Sequence, residues 1–389
     1  MGKLYVGVSS KARKIKKLYV GVNGVARKVK KLYVGVNGIA RKVFGGGELK
    51  YYTTFSNGVN KVSGAASTTV GNYALFGGGM GNGAATYSVY AYDVSLTKTT
   101  LTELYEHSSG LDATTVGNYA LFGGGSSSTP HNSVTPYNQS LTRQGSYYLI
   151  QKASGLAATT VGDYALFGGG EYLGSNSNYI YLSYVNVFNT SLTRTTTNQG
   201  LSVARGELTA TTVGNYALFA GGDNTSTDYI STVDAYDTSL TRTIPTSLSV
   251  AKTGGSATTV GNYALFGGGA TGKTTSRPYK NIYTNVVNAY NTSLTRTIPT
   301  SLSEARGGMG STTVEEYGLF CGGINNSATR VATIDVYDTS LTRTIPTSLS
   351  VARNGSSAVT LENYALVYGG AVSSTAYDYS AKVDVYEVS

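Results

Sequence analysis

The chain has 389 residues, a formal net charge of +9 and only 13% charged residues, with 50 Gly and 33 Tyr beside no Trp. One cysteine (Cys321) excludes an intramolecular disulfide framework, and with two histidines (His107, His131) it also excludes a Cys/His zinc cage or an iron–sulfur site. So small a histidine supply argues against a Ser-His-Asp hydrolase, and the composition favours a binding or structural protein over an enzyme.

The charge is unevenly placed. Residues 1–50 carry 13 Lys/Arg and one acid (Glu48), a net +12, and the remainder carries 17 Lys/Arg and 20 acids, a net −3. Met1 to Val8 lacks the apolar core of a signal peptide, so synthesis in a cytoplasm is expected. Apolar runs such as Tyr73-Ala74-Leu75-Phe76 fall far short of the ~20 residues of a spanning helix. The Asn-x-Ser/Thr triplets, such as Asn291-Thr292-Ser293, then read as turn residues rather than glycan sites.

The basic arm, residues 1–44, is a 14-residue unit in three copies that begin at Lys3, Lys17 and Lys31. Two copies centre on Asn-Gly (Asn23-Gly24, Asn37-Gly38), the strongest short signal for a hairpin with a type I′ turn. The turn sets Val22 opposite Val25 and Val20 opposite Arg27, which gives each hairpin one apolar and one cationic face. Two strands alone bury too little to be stable, so the apolar face needs a cover. The anchoring residues read from this pattern are Leu18, Val20, Val22, Arg27, Leu32, Val34, Val36 and Arg41. The cover is a neighbouring unit, another copy of the chain in a homo-oligomer, or a docking protein. Tyr interleaved with Lys and Arg also suits nucleic acid, but that reading rests on charge alone and docking is preferred over it. A Gly45-Gly46-Gly47 linker follows.

Residues 48–389 repeat a second unit. TTVGNYALFGGG begins at Thr68 and returns at Thr114, Thr159, Thr211, Thr258 and Thr312, with a degenerate copy from Val359. Its tyrosines, Tyr73 to Tyr364, are spaced by 45 to 54 residues. Between them recurs (A/V)Y(D/N)TSLTRT. Periods in the forties built from short strands predict a β-propeller. In the fifth unit, strand A is read at 256–260, strand B at 263–266, strand C at about 285–290 and strand D near 295–298. The last unit lacks a strand D. Thr53 precedes Thr68 by the same 15 residues that separate Thr243 from Thr258, so residues 51–55 are expected to supply the missing strand and close the ring.

An apolar strand ending in Gly-Gly, then a strand ending in Tyr-Asp and a turn into a fourth strand, resembles the kelch repeat, as in Phe219-Ala220-Gly221-Gly222 with Tyr236-Asp237. The kelch Trp seven residues after that Tyr is replaced by Thr243, so the blade interior must be filled differently. The expected fold is therefore all-β: a seven-bladed kelch-like propeller closed by an N-terminal strand and preceded by a basic hairpin arm. The arm itself resembles hairpin repeats of phage and prophage structural proteins of gram-positive bacteria.

In a kelch-like blade the A–B and C–D turns share one face, and the B–C and D–A loops share the other. The turns here are nearly uniform, whereas the B–C loops (80–88, 126–133, 171–184, 223–232, 270–285, 324–333 and 371–382) all differ. A uniform scaffold with individual loops reads as a binding surface. The candidate ligand-binding residues are Tyr172, Asn176, Asn178, Tyr179, Arg277, Tyr279, Lys280, Tyr377, Asp378 and Tyr379. Their rings and polar groups suit sugars or a protein patch. Residues 267–274 match GxxxxGK(S/T), but poor helix sequence follows, so no nucleotide site is assigned. His107 and His131 read as surface residues and Cys321 as a buried thiol. No carboxylate pair stands out in the sequence, and neither a cofactor nor a metal is implied.

The resemblances imply a phage or phage-derived virion protein, made in the host cytoplasm. Its arm anchors it to a tail, baseplate or capsid protein, and its propeller binds a bacterial surface glycan or protein without turning it over. The alternatives are a cytoplasmic kelch-type interaction module and a propeller enzyme acting on glycans.

Overall fold

The computed structural model describes residues 47–56, 58–174, 178–224, 229–275, 277 and 279–388, together with the backbone of six arm strands. The arm strands pair as Tyr5–Val8 with Lys11–Lys14, Tyr19–Val22 with Val25–Lys28, and Leu32–Val36 with Ile39–Phe44. The expected register holds: Val22 faces Val25, and Arg27 lies opposite Val20. Leu18 and Asn176, both named above, lie outside the described residues.

The rest is a seven-bladed β-propeller, each blade an antiparallel four-stranded sheet. Blade 5 runs Ser256–Val260, Tyr263–Gly267, Val287–Asn291 and Arg296–Thr297. Blade 7 takes its outer strand from Leu49–Phe55, which pairs with Val383–Val388 through a bulge between Val385 and Tyr386. The N-terminal strand therefore closes the ring.

Strand A lines the axis, and the TTV repeat explains why it can. The first Thr of one blade meets the second Thr of the next, hydroxyl to hydroxyl, at 2.7–2.9 Å: Thr68 with Thr115, Thr114 with Thr160, and so on to Thr312 with Thr360. In blades 2 to 7 the second Thr also donates to the carbonyl of its counterpart in the preceding blade, as Thr115 does to Thr69. Polar side chains crowded around an axis thereby satisfy one another.

Strand B is buried between blades. Its Phe meets the aromatic residue of strand C edge-on at 5.9–6.2 Å in blades 1 to 6. Leu201, Leu248, Leu302 and Leu349 of the D–A segments are buried in the blade cores. The Asp or Asn of the second repeat serves the C–D turn: Asp237 Oδ1 accepts from the Ser239 and Thr241 amides. Leu240 then adopts a left-handed backbone at φ 61°.

The two faces separate as expected. A–B turns abut the C–D turns of the next blade: a methyl group placed at Gly214 would lie 3.0 Å from Thr292 Cγ2. On the other face, D–A residues bridge B–C residues, among them Ser154 with Glu171 and Gly206 with Asp223. His131 corrects its surface reading. It is buried beside Ser133, and burial lowers its pKa. His107 is exposed and edge-on to Tyr87. Cys321 is fully buried, which pushes its thiol up to about 12.

Candidate site on the variable-loop face

The loop residues singled out from the sequence are dispersed over three blades. In blade 3, strands Glu171–Leu173 and Tyr179–Tyr181 form a hairpin, with Tyr172 half-buried and Asn178 and Tyr179 exposed. In blade 5, Ala270–Lys273 and Asn281–Tyr283 form a second hairpin, and Arg277, Tyr279 and Lys280 are exposed between its strands. The residues of the GxxxxGK(S/T) match thus end in a strand. Arg277 sits 5.7 Å from the Tyr279 ring centroid. In blade 7, Tyr377 and Asp378 are exposed and Tyr379 is half-buried. Tyr377 has a φ of 66°, and its ring covers Gly83 of blade 1. Tyr179, Tyr279 and Tyr377 are 57–61% exposed. They stand on separate blades as projecting points, not as one pocket.

What the fold does bring together is nearer the axis. Backbone hydrogen bonds link the D–A turns head to tail: Gly155 N to Gly110 O, Glu207 N to Gly155 O, Gly254 N to Glu207 O, Gly308 N to Gly254 O, Gly355 N to Gly308 O and Gly64 N to Gly355 O. Every residue in this circuit is glycine except Glu207, which holds a left-handed φ of 49°. A side chain in that conformation costs about 1 kcal/mol or more, so its presence asks for a reason other than the fold.

Glu207 is flanked by two more acids. Glu171 and Asp223 occupy the position just after the Gly pair of strand B, where other blades carry Met80, Ser126, Ala270, Ile324 and Ala371. A methyl group at Gly206 would lie 2.8 Å from Glu171 Oε2, and one at Gly155 would lie 2.8 Å from Glu207 Oε1. Burial, then Glu207 and Asp223, push the Glu171 carboxyl up to about 7. Burial and Asp223 raise Glu207 as well. Glu207 is nevertheless open to solvent, and that access moderates the push. Burial raises Asp223, while a bond from Thr253 and the charge of Lys273 oppose the rise. Three phenols stand around these acids. Tyr181 is raised to about 12 by burial and by Asp223, Glu171 and Glu207, and Tyr229 is raised by burial, Asp223 and Tyr283.

Glu207, Asp223, Tyr229, Lys273, Asn281, Tyr283 and Asn354 line a cavity of about 370 Å³ on this face. A second, of about 460 Å³, lies over the strand A threonines by Gly71 and Glu362. It is walled mainly by repeat residues and so carries less individual chemistry. Sequence reasoning missed the acids because they come from the loops of two blades. The signal was nonetheless present: aligning the D–A turns makes Glu207 the exception in a column of glycines. Among the described residues no group of three His, Cys, Asp or Glu is placed to hold a metal ion. Among them, no helix is long and apolar enough to cross a membrane.

No protein-family model matches the chain, and no curated protein matches it in sequence. Among solved structures 737 chains match. One, titled "Structure of YjhT", aligns at a TM-score of 0.58 and 14% identity over 74% of this chain and 98% of the other. At that identity the likeness shows the fold alone, a β-propeller.

Proposed function

We propose that this chain is a phage or phage-derived virion protein whose propeller, built of kelch-type blades, binds a bacterial surface glycan or protein, while residues 1–44 anchor it to a structural protein of the particle. The observation that carries the reading is the contrast between faces. The A–B and C–D turns are copied from blade to blade, whereas the opposite face differs in every blade and presents Tyr179, Tyr279 and Tyr377 to solvent. A rigid ring with individual aromatic loops is an economical recognition surface. The repeated basic hairpins of the arm suit attachment to an assembly.

The test is adsorption of purified full-length protein to candidate host cells. Replacing Tyr179, Tyr279 and Tyr377 together with Ala should weaken adsorption by a few kcal/mol, roughly the scale of aromatic hot spots. Changing Ser239 and Ser293 in the uniform C–D turns should leave it unchanged. Loss in the turn variant with full adsorption by the loop variant would move recognition to the opposite face.

One observation favours a second reading, an enzyme acting on glycans. A carboxyl raised to about 7, Glu171, beside two further acids is the setting of a general acid. Release of reducing sugar from host-surface glycan by the native protein, abolished in Glu171→Gln, would establish that reading. Binding without release keeps the first.

A further inference from the structure

We propose that the cavity beside the axis on the loop face is a subsite for a sugar ring that carries no acid group, bound more tightly when the ring bears a free amine, and that Glu207 sets this selection. The inference rests on the recognition reading above and names the ligand chemistry of that same face.

The cavity volume of about 370 Å³ lies in the range of small-molecule pockets. Its wall combines the two kinds of group a sugar needs. Tyr229 and Tyr283 offer ring faces, and Asn281, Asn354, Asp223 and Glu207 offer hydrogen-bond partners for hydroxyls. The groups come from the loops of several blades and none belongs to the repeat, so the blade architecture does not account for them.

Glu207 is the sharpest of these departures. Its amide bonds Gly155 O at 2.7 Å and its carbonyl accepts from Gly254 N at 3.1 Å. Those are the bonds the ring glycines make, and glycine would make them without strain. The carboxylate is therefore an addition to a position whose backbone work is already complete.

Selection follows from charge. Glu207 and Asp223 already raise the proton affinity of Glu171, and Asp223 raises that of Glu207. A uronate or other acidic sugar would bring a further negative charge among them and be rejected. The hydroxyls of a neutral ring donate hydrogen bonds to the same oxygens, and an ammonium group relieves their repulsion. Lys273 also lines the wall, but one cation stands there against two acids, Glu207 and Asp223, with Glu171 next to them.

An array of gluco-, galacto- and manno-configured oligosaccharides, each in neutral, 2-amino and uronic acid form, tests this with the full chain. Neutral and amino forms of at least one configuration should bind, the amino form more tightly, and the uronic form should not. Affinity for the amino form should fall as pH drops below about 7 and Glu171 takes up a proton. Glu207→Gly should lose tenfold or more in sugar affinity while its melting temperature stays equal or rises, an outcome a purely structural role cannot give. Equal binding of the acidic forms, unchanged binding by Glu207→Gly, or no binding across the array would each overturn the proposal. Cell adsorption separates its failure from that of the broader reading. If native protein adsorbs and Glu207→Gly adsorbs equally, the cavity fails and the loop tips remain. If native protein adsorbs to no host, the recognition reading fails, whereas sugar selection on the array still upholds the cavity.

Discussion

A methyl group at the first Gly of the Gly-Gly-Gly run would lie 2.7–3.0 Å from the Phe ring of the next blade, as at Gly77 with Phe122, Gly123 with Phe167, Gly168 with Phe219 and Gly267 with Phe320. Those glycines make room for the neighbour's ring, although blade 4 carries Ala220 there in one buried cluster with Phe266. Cys321 occupies the same position in blade 6, and there the following blade carries Val367 in place of Phe. The two are buried in one cluster, the thiol filling space the smaller valine leaves. At the seam Tyr368 takes the position and meets Phe76 edge-on at 5.1 Å. The exchange predicts a coupled pair. Val367→Phe alone should destabilise by about 1–3 kcal/mol through overpacking, and Cys321→Gly alone by roughly 1 kcal/mol through the void it leaves. The double variant should recover most of the loss in urea denaturation, and strictly additive losses would refute the contact. The repeat was plain in the sequence, but the reason for its glycine was not, since the group it accommodates lies a whole blade away. The acids at the mouth were hidden for the same reason: Glu171, Glu207 and Asp223 meet only once blades 3 and 4 stand side by side.

Some blades also have a charged strut from the D–A segment to strand C, and the residues at those positions differ from blade to blade. Blades 4, 6 and 7 use fully buried ion pairs, Arg205–Asp234, Arg306–Asp335 and Arg353–Asp384, at 2.7–2.8 Å. Blade 5 places Lys252 where the others have Arg and Asn288 where they have Asp. Lys252 Nζ donates to Phe266 O at 3.0 Å, in the manner of Arg205 to Phe219 O, but Asn288 supplies no counter-charge. Blade 3 has Ala153 and Asn186 at these positions and so lacks the cation, and Asn186 Oδ1 accepts from the Ile150 amide instead. Cation and acid therefore vary together within one chain, a pattern legible in an alignment of the repeats although neither residue belongs to the kelch signature. Burial lowers the Lys252 pKa from 10.5 to about 7. Between those values the unfolded chain binds the extra proton, so stability should rise with pH from about 7 to about 10.5, and below about 7 the full cost of a buried ammonium remains. The swing is on the order of several kcal/mol, at about 1.4 kcal/mol per pH unit. Lys252→Met should raise the denaturation midpoint at pH 7 and flatten its slope up to pH 10. Lys252→Arg with Asn288→Asp should flatten it too, by restoring the pair its sister blades use. A slope that survives in Lys252→Met would assign the pH dependence to other groups.

Closure governs the molecule as a whole. Six blade junctions share the threonine pairing, but at the seventh Val359 replaces the first Thr, and the contact passes to Ser357 and Ser67, whose hydroxyls meet at 2.7 Å. The seam is thus also where the chain's two ends are joined, by Leu49–Phe55 on Val383–Val388. Tyr51 lies edge-on to Tyr386 at 5.5 Å, and Leu49 is buried with Val388 in the cluster shared by blades 6 and 7. The 15-residue offset between Thr53 and Thr68 revealed this strand because strand D to strand A spacing is itself a repeat. The bulge at Val385 and Tyr386 left no such trace, since it adds a residue to one strand without altering the pattern around it. Deleting residues 48–56 should open the ring and lower stability by several kcal/mol, on the order of one strand's apolar burial and ladder bonds. Deleting residues 1–44 keeps that strand, and Gly47 O, which accepts from Tyr317 Oη at 2.9 Å, so the melting temperature should hardly move. Thr53→Pro offers a milder version, because it removes a donor opposite Val385 without shortening the chain. It should fall between the two deletions, with faster proteolysis at the seam. A large loss of stability on removing residues 1–44 alone, with little from Thr53→Pro, would mean that the arm holds the ring shut and the closing strand does not.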